Sequence, residues 1–176
     1  MGRFKEAFTI IRALLRDGAI DFQGAYYTLR DCEIRPRGPR PGGIPLMIGS
    51  KGDQMLRATV AHVDSWNGWH LWNQNSPEGL APLTAQVDRA CLAVGRDPAA
   101  LARTTAVYVR FPGATEPLNP RCPPVCGSPE EIAARFRDFA RAGISHLQVV
   151  LDPNTLGGIE QFAPVLEHLD RSTSAA

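Results

Sequence analysis

Short apolar runs alternate along this chain with stretches whose apolar positions recur at helical spacing. That alternation restricts the fold more than any single motif. Pro45-Leu46-Met47-Ile48, Asp64-Ser65-Trp66-Asn67, Thr104 to Phe111 and Leu147 to Leu151 read as strands. A helical pattern follows each: Met55, Leu56, Val60, Val63; then Leu80, Leu83, Val87, Cys91, Val94; then Ile132, Phe136, Phe139; then Ile159, Phe162, Leu166, Leu169. Strands that alternate with helices pair in parallel through right-handed crossovers, so the expected class is α/β with about four parallel β/α units. Such a set makes either a small open sheet or half of an eight-stranded barrel, and the pattern leaves both open.

A helix and a hairpin precede these units. Phe4, Ala7, Phe8, Ile11, Leu14 and Leu15 follow helical spacing, and Gly18 closes that helix. Ile20 to Phe22, a Gln23-Gly24 turn and Tyr26 to Leu29 read as a short hairpin. Arg35 to Gly43 is rich in Pro, Arg and Gly and reads as an extended connection. Further on, Ser128-Pro129-Glu130-Glu131 is a helix start: Ser128 accepts from a first-turn N–H, Pro129 fits the first helical position and Glu131 completes a capping box. Gly143 ends that helix. The chain has no repeats or low-complexity runs, so residues 1–176 are expected to form one domain, with 171–176 a disordered tail.

Composition removes several classes of partner. At 176 residues the chain is too short for a complete barrel of about 250. A net charge of +1 gives no electrostatic footprint for nucleic acid or an acidic membrane, and neither is expected as a partner. No apolar run approaches the ~18 residues needed to span a bilayer. The opening residues, Met1 to Glu6, carry no signal-peptide core, which points to a cytoplasmic protein. Of the cysteines Cys32, Cys91, Cys122 and Cys126, only the last two are close. A C-x3-C pair without further Cys or His nearby is poor zinc spacing, so no metal is expected and the thiols read as reduced and structural. Lysine occurs only at positions 5 and 51; every other basic residue is arginine, which makes Lys51 an unusual choice.

Several segments resemble the luciferase-like monooxygenase family, in particular members that use the deazaflavin coenzyme F420. They are the helix Arg3-Phe4 to Arg16, the hairpin Asp21-Phe22-Gln23-Gly24-Ala25-Tyr26-Tyr27, and Pro45-Leu46-Met47-Ile48-Gly49-Ser50. Ala61-His62-Val63-Asp64-Ser65-Trp66-Asn67 and Gly127-Ser128-Pro129-Glu130-Glu131 complete the ordered set. The resemblance implies a partial (β/α)8 TIM barrel, with this chain carrying the last four strands and the helix before them. It also implies an oxidoreductase that exchanges hydride through coenzyme F420, or one that activates oxygen through FMN. The expected partners are a small-molecule substrate and either a second copy of the chain or a missing N-terminal half-barrel. A non-catalytic half-barrel that only assembles is the alternative. A methionine at position 1, inside what the template makes a mid-protein helix, points to truncation or a split gene.

Gly49-Ser50-Lys51-Gly52-Asp53 follows a strand and opens a helix. Glycines permit close backbone approach, and N–H groups at a helix start form an anion cradle. Ser50 adds a hydroxyl and Lys51 a charge. By the resemblance, Gly49, Ser50 and Gly52 take the role of binding the cofactor phosphate, while Lys51 is inferred from its charge. The competing reading is a tight turn that binds nothing.

Asp64, Trp66 and Asn67 are expected at the C-terminal end of a strand, the face where barrel active sites assemble. Asp64 is either a hydrogen-bond acceptor in the site or a turn cap. Trp66 is either a pocket wall or packing, and Asn67 offers both donor and acceptor. Trp66, Trp69 and Trp72 surround His70 as an aromatic lid or as a loop packed on the rim. His70 is the histidine best placed to reach a pocket; the competing reading is a solvated loop residue. His62, His146 and His168 receive no chemistry. Asp152, Pro153 and Asn154 leave the last strand on the same face, to touch a cofactor or to cap the final helix through Asn154 or Thr155. No nucleophile–base pair and no paired carboxylates stand at useful spacing, so the catalytic residues stay unassigned.

Overall fold

Phe4, Phe8 and Ile11 lie on one turn-to-turn stripe, and the chain from Gly2 to Arg16 is the helix α1. The computed structural model describes residues 1–40 and 42–173, without the side chains of 172 and 173. After α1 come β1 (Ala19–Gln23), β2 (Thr28–Glu33), β3 (Met47–Ile48), α2 (Asp53–Thr59), β4 (Ser65–Gly68) and α3 (Ala81–Ala93). β5 (Ala102–Arg110), α4 (Pro129–Arg141), β6 (His146–Asp152) and α5 (Leu156–Thr173) complete the chain. The four expected strand–helix pairs occur in order, β3–α2, β4–α3, β5–α4 and β6–α5. The chain divides into two compact units, Met1–Ser65 with Val87–Leu101, and Trp66–Gln86 with Ala102–Ala176.

In the first unit, Gly18 takes a φ of +88°, where a side chain would be strained, and turns the chain out of α1. β1 and β2 form the antiparallel hairpin, longer than its apolar residues suggested, with Phe22 opposite Leu29. The Glu6 carboxylate accepts from the backbone N–H groups of Ala25, Tyr26 and Tyr27 at 2.8, 2.9 and 3.1 Å, which ties the hairpin loop to α1. β3 is shorter than expected: Pro45 and Leu46 stay outside it.

The second unit holds the larger apolar core. Val107 and Val109 of β5 pack with Phe136 and Phe139 of α4 and Val165 of α5. Leu147, Val149 and Leu151 of β6 rest against the same cluster. β5 and β6 run parallel, with Thr104 opposite His146 and Arg110 opposite Asp152. Alternate residues of a strand face opposite sides. The face away from this core therefore carries Ala106, Tyr108 and Arg110 beside Gln148, Val150 and Asp152.

α4 starts as its sequence requires. Ser128 Oγ accepts from Glu131 N at 3.2 Å, and Glu131 returns the bond to Ser128 N at 2.7 Å. Residues 171–173, expected in a tail, continue α5, and 174–176 lie outside the described residues. Ser128→Ala is expected to cost about 1 kcal/mol through the lost cap. Phe139→Ala, at a position with no exposed surface, is expected to cost about 3–5 kcal/mol. Urea unfolding of the two variants checks both values, and equal losses would contradict the assignment of Phe139 to the core.

Candidate active site

The turn after β3 belongs to the first unit. Gly49, Lys51 and Gly52 are exposed, whereas Ser50 is buried. Ser50 and Lys51 both already interact within the protein, so neither is a bare donor. Gly52 stands at φ −86° and ψ 128°, an extended conformation open to any residue, so no left-handed turn demands glycine there. A Cβ on Gly52 would meet nothing closer than Met55 Cγ at 4.0 Å. The glycine thus leaves open space beside exposed backbone. The helix it opens, α2, has only seven residues, so its dipole adds less than the sequence suggested.

Asp64 is not where the sequence reading put it. β4 begins at Ser65, so Asp64 precedes the strand's first residue and lies at its N-terminal end, away from the face where barrel sites assemble. Its carboxylate pairs with Arg16 of α1 at 2.7 Å and accepts from Leu46 N at 2.7 Å. Leu46 O in turn accepts from Asp64 N at 2.8 Å. Burial opposes the charge, but the Leu46 N–H, Arg16 and Arg96 outweigh it and hold the carboxyl below its ordinary value. These contacts make Asp64 a tie between α1 and the approach to β3.

In the second unit, Trp66 is completely buried. A Cβ on Gly68 would touch its ring at 3.2 Å, beside Thr105 and Leu80, which places the indole in the layer against the helices. Asn67 lies on the other face, where its Oδ1 accepts from the Thr104 hydroxyl at 2.9 Å. The tryptophans do not share one environment: Trp69 is 39% exposed and Trp72 is half-buried.

His70 is buried, contrary to the picture of a solvated loop residue. Its ring stacks on Tyr108 with centroids 5.7 Å apart, and Nδ1 lies 3.4 Å from Cys122 Sγ. Burial lowers the imidazole pKa and raises that of the thiol. Both shifts favour the neutral forms, so the pair is not an activated thiolate. All four cysteines are free, and no group of three or more metal-ligating side chains exists among the described residues.

Tyr108 leads to a polar cluster at the C-terminal ends of β5 and β6. Its hydroxyl donates to Asp152 Oδ2 at 2.7 Å, and Arg110 Nη1 lies 3.2 Å from the same oxygen. Thr115 N and Glu116 N donate to the carboxylate at 3.0 and 3.2 Å, so Asp152 anchors the loop after β5. Burial works against the Asp152 charge, yet the Thr115 N–H, the Tyr108 hydroxyl, the Glu116 N–H and Arg110 outweigh it and lower its pKa. Burial and the neighbouring carboxylate together raise that of Tyr108. Asn75 positions Tyr108 by imitating a neighbouring strand: its side-chain amide donates to Tyr108 O at 2.9 Å and accepts from Tyr108 N at 2.8 Å.

Tyr108 and Arg110 went unassigned in the sequence. The signal was there: Tyr108 and Arg110 alternate with Val107 and Val109 at the end of β5. At the start of α5, Thr155, one of the two residues expected to cap it, accepts from Gly158 N at 3.2 Å.

The family model for "Luciferase-like monooxygenase" matches residues 1–111. The chain belongs to the luciferase-like monooxygenase family. A pyrimidine monooxygenase, RutA, from Klebsiella pneumoniae subsp. pneumoniae is 29% identical over 92 residues, which is 52% of this chain and 24% of that protein. The chain therefore matches about a quarter of the length of that curated relative. Among solved structures, the coenzyme F420-dependent tetrahydromethanopterin reductase from Methanopyrus kandleri is similar with a TM-score of 0.72 at 12% identity, covering 97% of this chain and 63% of that one. A riboflavin lyase, RcaE, solved with modified FMN, has a TM-score of 0.65 at 15% identity, covering 90% and 49%. The fold is thus that of a partial (β/α)8 barrel, and the likeness reaches through β6 and α5, beyond the residues that the family model matches.

Two outcomes are expected. Because the Asp152 pKa is lowered in the folded state, its contribution is fully present above the ordinary carboxyl value of 3.8 and is lost as pH falls through the folded value. The difference in urea midpoint between the parent protein and Asp152→Asn should therefore be largest near neutral pH and close below 3.8. A difference that grew on acidification would contradict it. Asn75→Ala, which leaves the Tyr108 N–H unpaired while Val125 N still donates to Tyr108 O at 2.9 Å, should lower unfolding free energy by about 1–3 kcal/mol; a loss within error would show that the amide is dispensable.

Proposed function

We propose that this chain supplies the cofactor-phosphate grip and one wall of the substrate pocket in an oxidoreductase that uses coenzyme F420 or FMN. The observation that carries the reading is the turn after β3. It combines exposed backbone at Gly49 and Gly52, the rare lysine Lys51 and empty space where a Gly52 side chain would stand. Either cofactor, when bound, supplies two-electron chemistry: hydride exchange with a substrate carbon for the deazaflavin, oxygen activation for the flavin. In this reading Gly49 and Gly52 let the phosphate approach the backbone, Lys51 balances its charge and Ser50 orders the turn from beneath. In the second unit, Asn67, His70 and Tyr108 line the substrate wall, and Arg110 and Asp152 set its polar end. Trp66 and Asp64 act on the fold rather than on a ligand.

The partner in this reading is the N-terminal half of the barrel. β6 supports it: Leu147, Val149 and Val150 are apolar yet only half-buried, and Leu156, Ile159 and Leu166 of α5 are 73%, 55% and 49% exposed. An apolar strand and helix left this open invite another strand–helix pair. The same exposure favours the second reading, a half-barrel that covers these surfaces with a copy of itself.

Titration with coenzyme F420 and with FMN, followed by fluorescence, tests the first reading. Saturable binding of either is expected, weakened by about tenfold in Lys51→Ala through loss of a charge-assisted contact and less in Ser50→Ala. Absence of binding to both would leave assembly alone. Light scattering of the isolated chain is expected to show an oligomer or aggregate, and a well-behaved monomer would contradict both partner readings.

A further inference from the structure

We infer that Arg110 is an anion receptor, and that the substrate carries a carboxylate or phosphate group that binds the Nε–Nη2 edge of its guanidinium. Assigning that group to the substrate rests on the oxidoreductase reading above; the receptor itself rests on geometry. Arg110 is the last residue of β5 and shares a face with Tyr108 and, through the parallel register, with Asp152. All of the contacts its side chain makes fall on one nitrogen. Nη1 donates to Glu116 O at 2.6 Å and lies 3.2 Å from Asp152 Oδ2 and 3.3 Å from the Tyr108 hydroxyl. Nε and Nη2 have no partner among the described residues, and the side chain keeps 23% of its surface exposed.

Those three contacts hold the guanidinium from behind. A held arginine has already given up the rotamer freedom that an exposed one would lose on binding, which favours recognition. The partner carboxylate does not depend on this arginine, because Asp152 also accepts from Tyr108, Thr115 and Glu116. The planar Nε–Nη2 edge matches two oxygens of a carboxylate or phosphate, the arrangement that makes such contacts both strong and directional. Beside it, the half-buried ring of Tyr108, stacked on the buried His70 ring, offers an aromatic surface for the part of the substrate that is not charged.

The test uses the isotope-labelled full chain and follows the arginine Nε–H resonances by NMR during titration with inorganic phosphate and, separately, acetate. The Arg110 signal is expected to move saturably with either anion, further than any other arginine. Arg110→Lys, which keeps the charge but loses the fork, should weaken phosphate binding by about tenfold or more. An Arg110 signal that stays still, or drifts only as far as the other arginines do, would overturn the inference without recourse to any variant. Phosphate binding equally tight in Arg110→Lys would overturn it as well. Coenzyme F420 and FMN added to the phosphate-loaded protein should leave the Arg110 signal in place; displacement would assign the anion to the cofactor and overturn the substrate assignment. Failure of both cofactors to bind, with the Arg110 response intact, would strike only the oxidoreductase reading.

Discussion

The parallel pairing of β5 with β6 is the constraint on which the second unit depends. Its register sets Arg110 opposite Asp152 and Tyr108 opposite Val150. Because side chains alternate across a strand, the same register sends Val107, Val109, Leu147, Val149 and Leu151 to the helices. A slip of one residue in either strand would turn that strand's charged residue into the apolar layer and its valines outside it. Burial of Phe136 and Phe139 against the valines therefore holds the polar face in place.

The polar face is built from residues that satisfy one another. Asp152 is almost fully buried, and a buried carboxylate is tolerable only with its hydrogen bonds made. It receives them from a tyrosine hydroxyl, two backbone N–H groups and an arginine. Asn75 does comparable work on the neighbouring backbone, supplying Tyr108 with the donor and acceptor that an adjacent strand would give. Asn75 has a φ of +54°, a conformation that asparagine accepts more readily than most residues.

In the first unit, arginines tie separate segments together. Arg16 reaches Asp64, and Arg96 donates to the carbonyls of Val60 and Val63 and, at 2.8 Å, to that of Ala100. The Val60 and Val63 carbonyls follow the end of α2, where helix geometry leaves acceptors unpaired. The preference for arginine over lysine suits this task, since one guanidinium can serve several carbonyls at once. Lys51 stands apart from that pattern on an exposed turn.

What the sequence determined by itself was the succession of elements. Gly18, Gly143 and the Ser128 capping box mark helix ends by local chemistry, and the alternation of apolar runs with helical periods named four strand–helix pairs in their true order. Strand limits were less legible. Two residues make a strand only when a neighbour pairs with them, so β3 and the start of β4 were placed too early. The site required tertiary structure for the same reason. Asp64 and Trp66 are a residue apart from a strand-end position in the sequence, yet one binds α1 from the strand's far end and the other fills the helical layer. Tyr108, Arg110 and Asp152 lie more than forty positions apart at the extremes and meet only through register. Helix caps are contacts between near neighbours in the chain, and a sequence can display them; a carboxylate's partners across a sheet are chosen by packing, which no local pattern encodes.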